Sequence, residues 1–262
     1  MVPTSQTCLL AQSKMQKIAA PLFDATGLNF FSYARDFDGN KSISLQTDNN
    51  LYHAWFESKS PYCSHLTPDG VYASNSIQNQ PLQHQAKMLN YGNGIHIFKR
   101  LKTYTEVITL AAPTNSVNML EFYVNNIDLV NRFILFFKES AVTLIKGAMN
   151  DPILVPNDMI AKTPIIKDTI PDIQELRENF SIKKYYFDDN VEIKLSKREL
   201  ECLSYYIKGL SSSQISNIMN VKKVTTDTFL RNIKMKFNSS SRSELFEKFW
   251  QLGILTANGI FS

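Results

Sequence analysis

The chain is poor in the features that mark covalent frameworks and membranes. Its 262 residues hold three cysteines, Cys8, Cys63 and Cys202, odd in number and far apart. That argues against a disulfide framework and for a reducing compartment. No long apolar run occurs. The densest, Phe133 to Phe137, falls far short of the roughly 20 residues that cross a bilayer. Near the start only Cys8 to Leu10 is apolar before Gln12 and Lys14 intervene, too little for the core of a secretory signal. A soluble, cytoplasmic protein with no membrane partner is expected.

Patterns for catalysis and cofactor binding are equally thin. Cys63-x-His65 with His53 offers metal ligands, but a fourth ligand and the spacing of a zinc motif are missing. Exposed loop residues are the plainer reading. A Cys63–His pair has no third group to orient it as a nucleophile. His84 and His96 fall in helix and strand contexts without nearby carboxylate partners. The turn Tyr91-Gly92-Asn93-Gly94 lacks the lysine and following helix of a phosphate loop. The first carboxylate, Asp24, comes after a helix, so the opening strand and acidic pair of a phosphorelay receiver are also missing. No enzymatic activity, no metal and no cofactor is predicted, and no internal repeat or low-complexity tract is visible.

What is present is an ordinary globular composition, 44% hydrophobic and 20% charged, in a length that suits two domains. The net charge of +4 is unevenly spread. From Leu195 to Ser262 there are ten Lys and Arg against five Asp and Glu, and the preceding residues carry a small negative excess. A basic block confined to the last quarter suits either a polyanionic partner for that quarter or a solvated basic surface.

Residues 1–150 alternate strand and helix patterns. Leu9, Leu10, Met15, Ile18, Ala19 and Leu22 can share one helical face that ends near Pro21. Phe30–Phe37 and Ser42–Thr47 flank Asp38-Gly39, a hairpin turn signal. Asp48 is placed to cap a short helix carrying Leu51, Tyr52, Trp55 and Phe56. A second strand pair is predicted at Ile95–Leu101 and Thr105–Ala112, then one long helix from Ile127 to Met149. Pro152, Pro156, Pro164 and Pro171 follow within twenty residues. They interrupt long helices and central strands, so 151–190 reads as a linker with one short helix near Asp172–Phe180.

The last segment repeats one helix-starting device. Ser196-x-x-Glu199, Ser211-x-x-Gln214 and Ser241-x-x-Glu244 are capping boxes, the first two with leucine staples at Leu195–Leu200 and Leu210–Ile215. Gly209, Asn220, Asn238 and Gly253 suit the left-handed position after a helix. Four short helices are predicted near 196–207, 212–219, 223–237 and 242–252, the middle two separated by the few residues of a helix-turn-helix. On the third, Thr226, Phe229, Leu230, Ile233 and Phe237 share a packing side, while Asp227, Arg231 and Lys234 face away, with Thr228 and Met235 on the flank. An outer stripe of this kind suits either an ordinary surface helix or insertion into the major groove.

Residues 195–248 resemble the LuxR-type (GerE-like) helix-turn-helix family. Leu195-Ser196-Lys197-Arg198-Glu199 matches its Leu-Thr-x-Arg-Glu opening, and Gly209-Leu210-Ser211 with Gln214-Ile215-Ser216 matches its Gly-x-Ser-x-x-Glu-Ile-Ala segment. Thr225, Ile233, Lys236-Phe237 and Ser241-Arg242 follow in register without gaps. The departures are Thr226 and Asp227 for Val and Lys, Phe229 for His, and Lys222 for a capping Ser; they bear on the sequence read, not on the fold. The resemblance implies a transcription regulator that binds double-stranded DNA. Base readout is expected from Asp227, Thr228 and Arg231, and phosphate contact from Lys222, Lys223, Thr225 and Lys234. Arg198 and Arg242 are read as internal salt-bridge partners of residues such as Glu201 or Glu244. A homodimer on two half-sites is expected, with the last helix, carrying Phe246, Phe249, Trp250 and Leu252, as a dimer contact or as core.

Family members of this length resemble quorum-sensing regulators whose first domain takes an acyl-homoserine lactone. That pocket pattern ends in Asp-Pro, whereas Asp69 here follows Pro68 and precedes Gly70, so that lactone is not expected, and a different small apolar ligand stays open. Tyr33, Tyr52, Trp55, Phe56 and Tyr62 are the candidate pocket residues, with core filling as the alternative. The predicted fold class is α+β: an N-terminal antiparallel sheet with packed helices, PAS/GAF-like, at 1–150, then an all-α four-helix helix-turn-helix domain at 191–262. The rival function keeps the DNA-binding end but makes the first domain a protein-docking or dimerisation module without a small-molecule ligand.

Overall fold

The computed structural model describes residues 6–77, 80–164, 184–186, 192–251, 255–256 and 259–260. The chain divides into two compact units, Met1–Thr169 and Ile170–Ser262. The first is mixed α+β and the second is mainly helical.

The first unit is built on a six-stranded antiparallel sheet. Its strands are β1 (Phe30–Phe37), β2 (Lys41–Gln46), β3 (Gly70–Ala73), β4 (Asn93–Arg100), β5 (Tyr104–Ala112) and β6 (Ile153–Leu154), in the order β3-β4-β5-β1-β2-β6. The β1–β2 hairpin closes through Asp38-Gly39, where Gly39 supplies a φ of 91°. It sets Arg35 opposite Ile43 and Asp36 opposite Ser42. Because side chains alternate across a pleated strand, β1 sends Phe31 and Tyr33 to one face and Phe30, Ser32, Ala34 and Asp36 to the other.

The first face is the core. Phe31 packs edge-on against Phe133 and Phe137, at centroid distances of 5.0 and 4.8 Å. Ile43, Leu45, Ile108 and Leu110 complete its floor. Above it lie α1 (Gln6–Leu10), α2 (Gln12–Thr26), α6 (Ile127–Ser140) and α7 (Val142–Asn150). The other face is covered by α3 (Asn49–Glu57) and α4 (Gln80–Met88). Asp48 caps α3 by accepting from Asn50 N at 2.9 Å. Between β5 and α6 stands α5 (Met119–Asn125), capped by Asn118.

Several expectations need correction. The first helical stretch breaks at Ala11, and α2 runs through Pro21 to Thr26, where Gly27 caps it at φ 75°. Pro21 removes the N–H that would bond Lys17, but its ring is on the exposed side, where water can serve the freed carbonyl. The buried stripe is Cys8, Ala11, Met15, Ala19 and Leu22, whereas Leu10 is 81% exposed. The single helix expected from Ile127 to Met149 is two, divided at buried Ala141. Its stripe continues through Ala141, Ile145 and Ala148 while Val142 turns outward.

The first unit also extends past residue 150. Ser42 pairs with Ile153, Val155 N donates to Asn40 O at 2.8 Å, and Tyr62 N donates to Met159 O at 2.7 Å. Pro152 and Pro156 are tolerated because β6 is a two-residue edge strand. The short helix expected near Asp172–Phe180, Leu252 and the stop at Gly253 lie outside the described residues.

In the second unit, β7 (Lys184–Tyr186) and β8 (Glu192–Lys194) form an antiparallel pair that reaches into the segment read as linker. Then come α8 (Lys197–Ile207), α9 (Ser212–Ile218), α10 (Lys223–Lys236) and α11 (Arg242–Gln251), and the short pair β9 (Leu255–Thr256) and β10 (Gly259–Ile260). The boxes at Ser196–Glu199 and Ser211–Gln214 form in full. The third is half formed. Ser241 Oγ accepts from Glu244 N at 3.1 Å, but the Glu244 carboxylate binds Ser240 N and Ser240 Oγ, one residue early. Gly209, Asn220 and Asn238 take φ of 97°, 52° and 42° at the three helix ends. Cys202, Leu203, Ile215, Ile233, Phe237, Leu245 and Phe249 form the core.

Candidate functional site

Helix α10 starts in an unusual way. The residue at its N-cap is Lys222, whose side chain makes no capping bond, so the first backbone N–H groups of the helix are left for an outside acceptor. Lys222 and Lys223 are exposed beside them and Thr225 is half-buried. Partial positive charge from the helix end, free N–H groups and two ammonium groups therefore converge on one spot.

Farther along the same helix, Thr226, Leu230 and Ile233 are buried and Phe229 half-buried, while Asp227, Thr228 and Arg231 point outward. The Thr228 hydroxyl is turned back to Val224 O at 2.9 Å, so its methyl is the group left facing out. Val224 and Met235 are also exposed on this helix, at 69% and 67%. Asp227, Arg231 and Lys234 line a shallow groove with Tyr206, Asn238 and Glu244. Lys234 differs from the other lysines. Its Nζ donates to Ser240 O at 3.1 Å and sits 5.7 Å from the Tyr206 ring centre, so part of its charge is engaged within the unit.

The two arginines suspected of structural roles have different partners. Arg198 pairs with Glu201 at 2.9 Å. Arg242 does not reach Glu244. It stacks 4.2 Å from the centre of the Tyr206 ring and donates to Leu210 O at 2.9 Å, tying the start of α11 to the α8–α9 turn.

The first unit holds a cavity of about 240 Å³ between the sheet and α3 and α4. Tyr52, Trp55 and Tyr62 line it. Tyr33 and Phe56 do not. Strand alternation sends Tyr33 to the core face, where its hydroxyl donates to Glu106 at 2.7 Å and accepts from Arg35 Nε at 2.7 Å. Lys138 of α6 meets the same carboxylate at 2.6 Å. Phe56 is buried in the core and packs edge-on against the rings of Tyr52, one helical turn before it, and Trp55.

The floor of the cavity carries, among apolar residues, a set of polar side chains that was not read from the sequence. It includes Ser32, Asp36, Ser42, Ser44, His96 and Thr109. Ser42 donates to Asp36 Oδ1 at 2.7 Å. Burial pushes the Asp36 carboxyl up to about 6, against the hydroxyls of Ser42, Ser64 and Tyr62, which favour the charged form. His96 has both ring nitrogens within 3.0 Å of hydroxyls, Ser74 and Thr109, and burial lowers it to about 4, so it is neutral near pH 7. The alternation Phe30, Ser32, Ala34, Asp36 was the available signal. Read alone, such a stripe looks like the solvated face of a sheet.

Cys63 also borders the cavity, and burial raises its thiol to about 11, so it is not an activated nucleophile. His65 bonds Ala161 O at 3.1 Å. Among the described residues no group of three or more His, Cys, Asp or Glu gathers to hold a metal ion, and no helix is long and apolar enough to cross a membrane.

Residues 194–249 match the family model GerE, bacterial regulatory proteins, luxR family. Two curated relatives are the HTH-type quorum sensing-dependent transcriptional regulator VjbR of Brucella ovis and that of Brucella abortus. Each is 33% identical over 61 residues, 23% of this chain and 24% of the relative. The chain thus spans about a quarter of the length of the curated relatives it matches. Among solved structures, Escherichia coli SdiA is 14% identical, covering 96% of this chain and 98% of that one with a TM-score of 0.35.

Proposed function

We propose that this chain, whose residues 194–249 form a helix-turn-helix domain of the luxR family of bacterial regulatory proteins, is a sequence-specific double-stranded DNA-binding transcription regulator of the cytoplasm. The observation that carries this reading is α10 itself: an uncapped, lysine-flanked N-terminus leading into an outward face of Asp227, Thr228 and Arg231. Lys222, Lys223 and Thr225 grip phosphates with the free backbone N–H groups, fixing register. Lys234 adds a weaker contact, since Ser240 O already holds it. Arg231 presents a fork that suits the O6/N7 edge of guanine, and Asp227 accepts from cytosine N4.

One unit of four short helices makes few contacts, so the regulator works as a homodimer on two half-sites. Two surfaces support self-association. Phe246 and Trp250 on α11 are 45% and 67% exposed and stacked at 6.3 Å, while Phe249 and Leu245 are core. On α6, Leu135 and Phe136 are 67% and 48% exposed, which favours a dimerisation or docking role for the first unit as well. Control by a small molecule is supported by the cavity over the sheet, where Tyr52, Trp55 and Tyr62 form the candidate ligand contacts.

Binding to duplex DNA over a series of salt concentrations tests the reading. Affinity falls steeply with salt for the wild type. Lys222→Ala weakens binding to every sequence and flattens the slope by roughly one. Arg231→Ala instead narrows the gap between a selected site and random DNA, by about 1–3 kcal/mol. Duplex affinity that is missing both from the intact chain and from residues 190–262 alone would refute the assignment.

A further inference from the structure

The cavity of the first unit contains an acid without a counter-ion. Asp36 stands at one end of the floor with Ser42, Tyr62, Cys63 and Ser64, and no Lys or Arg is among the described residues lining the cavity. Two arginines near it in sequence and across the sheet are engaged elsewhere. Arg35 is on the opposite face, with its guanidinium 4.8 Å from the centre of the Tyr104 ring, and Arg100 donates to Ser64 O and His65 O. His96 is held neutral. With its carboxyl at about 6, Asp36 is mostly ionised at pH 7.5. The hydroxyls of Ser42, Ser64 and Tyr62 offset part of the cost of an ionised, partly desolvated carboxylate, and a cationic guest removes more of it.

The rest of the cavity fixes the shape of the guest. Along β1 the cavity runs from Asp36 to Phe30, six residues or roughly 20 Å at strand rise. Toward the Phe30 end the lining gathers Phe30, Leu82, Ala86, Tyr91 and Ala111, and the polar groups beside them, His96, Ser74 and Thr109, are bonded to one another. Tyr62 stands beside Asp36, and Trp55 also lines the cavity; aromatic faces add attraction for an ammonium group. We infer that the cavity takes an elongated amphipathic amine, its ammonium seated against Asp36 and its apolar tail running toward Phe30 and Tyr91. This rests on the reading of the cavity as a ligand site, and names the chemical class of that ligand.

An eight-carbon series separates charge from shape: n-octylamine, n-octanol and octanoate, measured by calorimetry and by thermal stabilisation on the full chain at pH 7.5. Octylamine, protonated there as a lysine would be, is expected to bind at least tenfold more tightly than octanol, and octanoate to show no binding. Asp36→Asn keeps the size of the side chain and its bond with Ser42, and should bring octylamine down to the affinity of octanol while leaving octanol unchanged. Asp36→Glu should retain the preference for the amine. Equal affinity for amine and alcohol, or an amine preference that survives Asp36→Asn, overturns the cationic class but leaves the ligand site standing. Tightest binding by octanoate overturns it also. Failure of all three to bind overturns both the class and the site, while DNA affinity, read on the other unit, is unaffected.

Discussion

Thr226 carries a hydroxyl into the core of the second unit, where it is fully buried and no hydrogen-bond partner among the described residues meets its Oγ1. A buried unpaired hydroxyl costs about 1–3 kcal/mol. Thr226→Val has nearly the same shape and should raise the melting temperature of the second unit, without loss of DNA affinity. The Glu106 carboxylate is the opposite case, buried but fully served by Lys138 and Tyr33. Lys138→Met strands that charge, and denaturant titration should show a loss of about 3–5 kcal/mol. Glu199 sits between these extremes. Burial pushes its carboxyl up, but Lys236 at 2.7 Å and the Ser196 backbone outweigh this and hold it below the usual range. A depressed carboxylate stabilises the fold above its unfolded pKa, and that stability is lost as pH falls through the folded value. The second unit should therefore lose stability on acidification, and Lys236→Ala should flatten that dependence in a pH series of melting curves. The exposed placement of Arg231 and the position of Lys222 at the start of α10 were legible from helical phase and motif register. Asp36 was not, since alternation alone cannot tell a cavity floor from a wet surface.

Among the elements, helix boundaries followed their local chemistry. Ser196, Ser211 and Asp48 cap where expected because a side-chain oxygen two or three residues before an orphan N–H needs nothing from the rest of the chain. Ser196→Ala should cost about 1 kcal/mol in the second unit, measurable by chemical denaturation. Proline was the less reliable guide. Pro21 is carried inside α2 because apolar burial of Met15, Ala19 and Leu22 against the sheet outweighs one lost hydrogen bond. Pro21→Ala restores that bond on an exposed face, so melting of the first unit should shift upward by the equivalent of about 1–3 kcal/mol. The break at Ala141 has no sequence mark such as proline or glycine; the two-helix arrangement follows from packing. Strand β3 and the two-residue β6 were likewise illegible, being short and half-exposed, with pairing partners far along the chain.

At the level of the whole molecule, two units with separate cores predict separable behaviour. Calorimetry of the intact chain should resolve two transitions, and octylamine should move only the one that belongs to the first unit. A single transition, shifted as a whole by the amine, would speak against independent units. By itself the sequence determined the second unit: its capping grammar, helix stops, apolar stripe and basic excess are all local, lying within a turn or two of one another, so they can be read without knowing the fold. The tertiary structure alone decided the first unit's site. Which face of β1 meets α3 and α4, and which meets α6, depends on contacts among residues as distant as Phe31, Phe137 and Val155. That choice put Tyr33 in a core ion network and left Asp36 facing a cavity. No local pattern records such a choice, because it is the burial of a sheet face, summed over the whole unit, that makes it.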